Sequence, residues 1–509
     1  MSDVNGSKRL AINIVASIVT TIVGLGIAFL LTPYLVEHIG KETYSFYPIS
    51  NNIVHYFTII VTAFNALASR FITIEIVKKN QAKAQEYSSS VLLTNTILAA
   101  VFMFPMGVIV YKADFLFDIS PNELTNIRTL FSLVFIAMLV NIIGSVYGVA
   151  TFVKERIDLR SYQQLCVNGI RVVLYLVFFA VFTPNIIFVG VVTLVESVFN
   201  FVVQVYWTKR LLPEYKIKFH LAKIRAVKEL LFSGIWSSIS SLGNNLLSGL
   251  TIVFANSLFG AEASGTLSIA NTLPSLCTTI ITMMVNVFYP RMTNQYAISG
   301  IKGLEKEVHN SQSIMGAIIS VPILLLISLG REFFSLWMPN ENAAELQIAS
   351  IIYLIPFVVQ ANMWTLTQVF PVLNKVKKPA IAMVILGICN VILCLTVSRT
   401  SFVGYLVVPI IASVLNVVYC VVYVPLCVGK FLSCSVKGFY LHIFKAAMAS
   451  AVVIVITIFM KNIIICSNWL RFIICGGLCA ISAYAIFVLF VLKKEHWNVI
   501  IGRIRHFNS

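Results

Sequence analysis

Two side chains that carry a full charge stand deep inside apolar runs of this sequence, Arg171 and Glu196. Arg171 lies about nine residues into one hydrophobic stretch and Glu196 about eleven into the next, so both fall near the middle of a bilayer core ~30 Å thick. A lone charge at that depth is costly, and a pair is expected. Two chemistries fit. The pair is structural, or Arg171 contacts an anionic substrate while Glu196 releases it or binds a coupling proton. His55, about a third of the way down its own stretch, has a side chain that titrates near neutral pH. It reads either as a second coupling candidate or as a neutral hydrogen-bonding member of a helix interface. Arg70 and Arg291 stand at the ends of two other stretches. They serve as snorkelling anchors or as a two-armed clamp for phosphate, whose oxygens match the planar guanidinium fork. Asn51, Asn65, Asn271 and Asn286 place amides inside apolar runs. Such groups suit sugar hydroxyls, and they equally well bind helices together.

The elements that must position these residues are membrane helices. Hydrophobic residues make up 59% of the 509 positions and charged residues 11%, against roughly half and a quarter in soluble domains. A crossing needs roughly 20 mostly apolar residues. About fourteen such runs recur, near 10–32, 44–70, 89–110, 126–149, 162–182, 186–207, 230–255, 265–290, 312–330, 347–371, 380–397, 402–425, 442–460 and 470–492. The chain therefore reads as an all-α polytopic membrane protein. With these spans, 29 of the 37 Lys and Arg residues fall on one side and 7 on the other, with Arg171 inside a span. Positive charge is retained in the cytoplasm, so both termini are expected there.

The chain also repeats itself. At an offset of 220, Gly40 matches Gly260, Glu42 Glu262, Ile49 Ile269 and Asn51 Asn271. One residue of slippage later, Thr58, Ile59, Ile60, Asn65 and Arg70 match Thr279, Ile280, Ile281, Asn286 and Arg291. The offset spans six helices, which predicts two pseudo-symmetric six-helix bundles related by an axis along the membrane normal. The expected organisation is an N-lobe over 1–207, a basic cytoplasmic linker over 208–228, a C-lobe over 229–426, two added helices over 442–492 and a cytoplasmic tail over 493–509. Two such bundles suggest alternating access, with substrate held between them. The positions equivalent to Arg171 and Glu196 are Ile392 and Val417, so the charged pair belongs to the first lobe alone.

The net charge of +17 is spread over loops at membrane level. Topology and anionic lipid head groups account for it, and a nucleic-acid partner is not expected. The ten cysteines show no CxxC or Cys/His spacing, and neither a metal nor a cofactor is expected. No phosphate-binding GxxxxGK[ST] loop, HExxH or Ser/His/Asp arrangement is present, which disfavours an ATPase or a lipid-modifying membrane enzyme.

The stretch Phe29–Tyr47, followed by Ala68-Ser69-Arg70-Phe71 at the end of the second run, resembles the polysaccharide (O-antigen-type) flippases of the multidrug/oligosaccharidyl-lipid/polysaccharide exporter superfamily. The resemblance extends along the chain through span count and duplication. It implies a MATE-like, V-shaped transporter in the bacterial cell membrane. Its cargo would be an undecaprenyl-pyrophosphate-linked oligosaccharide, an O-antigen, capsule or exopolysaccharide unit moved from the cytoplasmic to the outer leaflet. It also implies a cationic cavity, coupling to H+ or Na+ in some members, and contact with polysaccharide assembly proteins. On this view Arg70, Arg171 and Arg291 become the phosphate ligands. A cation-coupled multidrug efflux antiporter of the same superfamily is the alternative. It needs buried acids, of which Glu196 is the only deep one.

Overall fold

The computed structural model describes residues 2–78, 80–154, 156–213, 217–397 and 403–491. The expected tail over 493–509 and part of the expected linker lie outside them. Among the described residues every element is helical. In hydrocarbon each backbone N–H and C=O must find its partner within the segment, which a helix alone of the open structures achieves. The long helices are α1 (Ser2–Ile39), α2 (Lys41–Val77), α3 (Gln81–Tyr111), α4 (Leu124–Gly144), α5 (Ile157–Val181), α6 (Ile187–Leu211), α7 (Ile224–Asn244), α8 (Thr251–Phe259), α9 (Ala261–Ala270) and α10 (Thr272–Trp337). They continue as α11 (Ala343–Thr367), α12 (Lys377–Val397), α13 (Val407–Val418), α14 (Val424–Leu432), α15 (Lys437–Ile463) and α16 (Trp469–Val491).

Eleven helical segments among the described residues are long and apolar enough to cross a membrane. The other three expected spans fall in α2, in α7 with α8, and in α9 with α10, all of which contain positions whose side chains are not described. Large apolar side chains are turned outward along these helices, among them Phe104, Phe459, Ile473 and Ile481. In water such a surface would drive aggregation, and in lipid it meets its own kind.

The chain divides into two compact units, 1–265 and 266–509. In the first, α4 packs along α6, α1 along α5, and α2 against α3, α4 and α7. One core there gathers Phe64, Ala68 and Ile72 of α2 with Tyr87, Val91 and Leu92 of α3. Gly40 links α1 to α2 with a single residue at φ +80°, and its repeat partner Gly260 links α8 to α9 at φ +96°. Only glycine adopts these angles without strain. Between α7 and α8 runs a π-turn, Asn245–Gly249, whose wider winding disturbs the ladder. The Tyr56 hydroxyl donates to the carbonyl of Asn245 there at 2.6 Å.

In the second unit, α10 packs along α11, and α15 and α16 pack on each other and on α10. A core joins Met292, Leu304 and Val308 of α10 to Met363 and Leu366 of α11, with Val424 and Val428 of α14. Gly300, at φ +61° and ψ −147°, breaks α10 into two helical stretches.

Candidate functional site

Helix α5 presents one face to protein and another to lipid. Val167, Tyr175 and Phe179 are buried, while Val173, Leu176 and Val177 are exposed. Arg171 stands four residues from Val167 and from Tyr175, so helical periodicity places it on the protein-facing side. Glu196 occupies the corresponding buried face of α6 with Val189, Val192 and Ser197. The two side chains meet as a fork. Arg171 Nε donates to Glu196 Oε1 at 2.6 Å and Nη2 donates to Oε2 at 2.7 Å. The carboxylate is almost enclosed, with 11% of its side chain exposed, and Arg171 keeps 27%. Such a bidentate, charge-assisted pair is short and strong. It uses Nε and Nη2 and leaves Nη1 outside the fork. The hydroxyls of Tyr47 and Tyr175 lie within electrostatic range of the guanidinium. One turn further on, Phe179 meets Tyr34 edge-on at 5.6 Å between ring centroids and His38 at 5.8 Å, fastening α5 to α1.

Amides and hydroxyls also tie the helices of the first unit together. Gln163 Nε2 donates to Asn200 Oδ1 at 2.7 Å, tying α5 to α6. Asn141 Nδ2 donates to Ser197 Oγ at 2.9 Å, tying α4 to α6. Asn65 of α2 donates from Nδ2 to Ser145 Oγ at 2.8 Å. Its Oδ1 accepts from Asn95 Nδ2 of α3 at 3.1 Å. Asn95 also reaches the carbonyl of Ile142 at 3.0 Å and Ser145 Oγ at 3.1 Å. Asn65 is thus held in a three-helix network.

The remaining candidates are dispersed. Asn51 turns its Nδ2 back to the carbonyl of Tyr47 at 3.1 Å. His55 is exposed on α2. In the second unit, half-buried Asn271 caps the start of α10, where its carbonyl accepts from Ser275 Oγ at 2.8 Å. The side chains of Arg70 and Asn286 lie outside the described residues. Arg291 is not bare. Its Nε sits 2.7 Å from Glu307 Oε1, and the carboxylate is buried, with 5% of its side chain exposed against 58% for the arginine.

Sequence reasoning passed over Asn95, Asn141, Gln163 and Asn200. An amide inside an apolar run was the available signal, and all four carry it. Glu307 was assigned to a loop after the eighth span. It lies instead inside α10, seven residues beyond the break at Gly300. Among the described residues no three His, Cys, Asp or Glu side chains converge as metal ligands.

The chain matches the family model described as "Polysaccharide biosynthesis protein" over residues 10–296. It belongs to that family. The expectation drawn from Phe29–Tyr47 and Ala68–Phe71 agrees with this match. Over 505 residues the chain is 24% identical to the uncharacterized membrane protein EpsK of Bacillus subtilis (strain 168), covering 98% of each. The fold is similar to that of solved transporters of the MOP superfamily. An inward-facing multidrug resistance MATE family transporter of that superfamily superposes with a TM-score of 0.69 at 14% identity, over 81% of this chain and 94% of that one. The lipid II flippase MurJ, in an inward closed conformation, superposes with a TM-score of 0.65 at 14% identity, over 94% of this chain and 98% of that one. The membrane class, the helical architecture and the family-level reading of the sequence all stand in this light.

Proposed function

We propose that this polysaccharide-biosynthesis family member is a flippase for an undecaprenyl-pyrophosphate-linked oligosaccharide, carried from the cytoplasmic to the outer leaflet of a bacterial cell membrane by alternating access. On this reading both termini are cytoplasmic. The O-antigen, capsule or exopolysaccharide unit is the cargo, and polysaccharide assembly proteins are its neighbours. The observation that carries the reading is the Arg171–Glu196 fork. It keeps a guanidinium charged and oriented deep in the first unit, with Nη1 outside the fork and about a quarter of the side chain open. A pyrophosphate offers acceptor oxygens to such a donor. Glu196 acts as a positioning residue that competes with the phosphate and takes the arginine back once the lipid leaves.

The same geometry disfavours the efflux alternative. A cation-exporting antiporter needs a buried carboxylate free to exchange ions, and both oxygens of Glu196 are engaged by Arg171. Arg291, steadied by Glu307 inside α10, and Arg70 of α2 serve as phosphate contacts, with Asn51, Asn65, Asn271 and Asn286 as polar contacts for the glycan. His55 is the coupling candidate for H+ or Na+ while the fork is closed, and Glu196 becomes one only when a phosphate draws Arg171 away from it. The reaction needs no covalent chemistry by the protein.

The test is reconstitution. Proteoliposomes carrying the full chain and a lipid-linked oligosaccharide are probed with a glycan-modifying enzyme added outside. Time-dependent exposure of the glycan, reduced by Arg171→Ala and Arg291→Ala in normally inserted protein, is the expected result. Unchanged exposure in both variants would remove the phosphate-handling role.

A further inference from the structure

Between α3 and α4, on the flank of the first unit, runs a groove of about 390 Å³. Helix α3 contributes Met103, Met106, Gly107 and Val110, spaced as one helical face, and α4 contributes Ser132, Phe135, Ile136 and Leu139. Its walls are almost wholly apolar and turned outward, with Met103 61% exposed and Ile136 47%. Gly107 leaves a gap in the wall, and a Cβ placed there would meet nothing within 4 Å. At one end stands Arg128. Its Nη2 donates to the carbonyl of Tyr111 at 2.7 Å and to Asp114 Oδ1 at 2.9 Å. Its Nε is buried and has no hydrogen-bond partner. Lys112 lies beside it, with Nζ 5.5 Å from the centre of the Tyr111 ring.

These observations point to one kind of occupant. An apolar slot open along a membrane flank takes a hydrocarbon chain. At ~30 Å³ per water-sized group, 390 Å³ holds roughly a dozen chain carbons, the size of one acyl tail and far less than a polyprenyl chain. The rim carries two cations against one carboxylate, and the Arg128 side chain keeps 35% of its surface open to a ligand. An anion fits there. We infer that this groove is a binding site for an anionic glycerophospholipid, with one acyl chain between α3 and α4 and the phosphate against Arg128. The site lies apart from the Arg171–Glu196 fork, and its test does not depend on what the protein transports. A bound lipid at this place would wedge two helices of the first unit together, so its supply would tune how readily they move.

The experiment is native mass spectrometry of the full chain, stripped of lipid in detergent and titrated separately with phosphatidylglycerol and phosphatidylcholine. Wild-type protein is expected to bind phosphatidylglycerol about tenfold more tightly, the scale of one charge-assisted hydrogen bond. Arg128→Gln is expected to erase that preference. Gly107→Leu, which fills open space, and Ile136→Trp on the opposite wall are each expected to weaken binding of both lipids. The two wall variants act independently, so poor folding of one leaves the other decisive. Millimolar inorganic phosphate is expected to leave lipid binding unchanged, which separates a lipid site from a simple anion site. Undiminished phosphatidylglycerol binding in a folded wall variant, or its displacement by a stoichiometric polyprenyl phosphate, would overturn the assignment.

Discussion

Replacing Arg171 and Glu196 together by methionine separates a structural ion pair from one that handles substrate. Removing one partner of a buried pair costs ~3–5 kcal/mol, because the other charge is left unpaired in a poor solvent. Arg171 keeps 27% of its side chain exposed, which relieves part of that penalty and places each single variant near ~3 kcal/mol. In a unit of this size, a loss of that order lowers the midpoint of thermal unfolding by roughly 5–12 °C. The half-buried thiol of Cys166, on α5 itself, reports the transition as a maleimide dye gains access to it. Arg171→Met and Glu196→Met are each expected to unfold early. The double variant R171M/E196M swaps two charges for apolar chains of similar volume and is expected to recover most of the loss. Glycan exposure in proteoliposomes is then the deciding assay. Should the pair be purely structural, export returns with stability. Under the phosphate-handling mechanism stability returns and export does not. A double variant exporting at the wild-type rate refutes the mechanism.

Further outcomes follow from other contacts. Arg291→Ala leaves the Glu307 carboxylate buried without its 2.7 Å partner, and the added substitution Glu307→Gln is expected to restore thermal stability but not glycan exposure. A Cβ at Gly265 would lie 2.6 Å from the carbonyl of Lys41, beside the 3.2 Å Lys41–Glu262 ion pair. Gly265→Val is therefore expected to destabilise by about 1–3 kcal/mol through overpacking, read as a lower unfolding midpoint. Asn95→Leu strips hydrogen bonds from Asn65, Ser145 and Ile142 at once and is expected to cost about 1–3 kcal/mol. Asn65→Ala alone should cost less, since Asn95 keeps two partners. Gly316→Ala would bring a methyl group against Asn362 Oδ1, and the paired change Asn362→Ala is expected to rescue it, a coupling measured by a double-mutant cycle.

Much of this protein is written in its hydropathy. Long apolar runs in a chain with 11% charged residues leave no option but spanning helices, because lipid cannot satisfy an open backbone. The same solvent made the Arg171–Glu196 contact legible, since two deep charges on adjacent antiparallel helices have no cheaper arrangement than each other. Gly40 and Gly260 were legible as repeat partners, and both turn out to hold positive φ between helices. The neighbours of the other polar residues were settled only by packing. Lipid tails and buried faces are alike apolar, so hydropathy does not say which side of a helix meets protein. Sequence left Asn65 open between a sugar contact and a helix-binding amide, and the meeting of α2, α3 and α4 gives it Asn95 and Ser145 as partners. Sequence offered Arg291 as an anchor or a clamp arm, and only the continuation of α10 past Gly300 brings Glu307 to it. The groove below Arg128 exists only as the gap between two helices. One-dimensional sequence carries the solvent each segment requires. Register and rotation between helices are set by contacts among side chains far apart in the chain, and those only the folded structure decides.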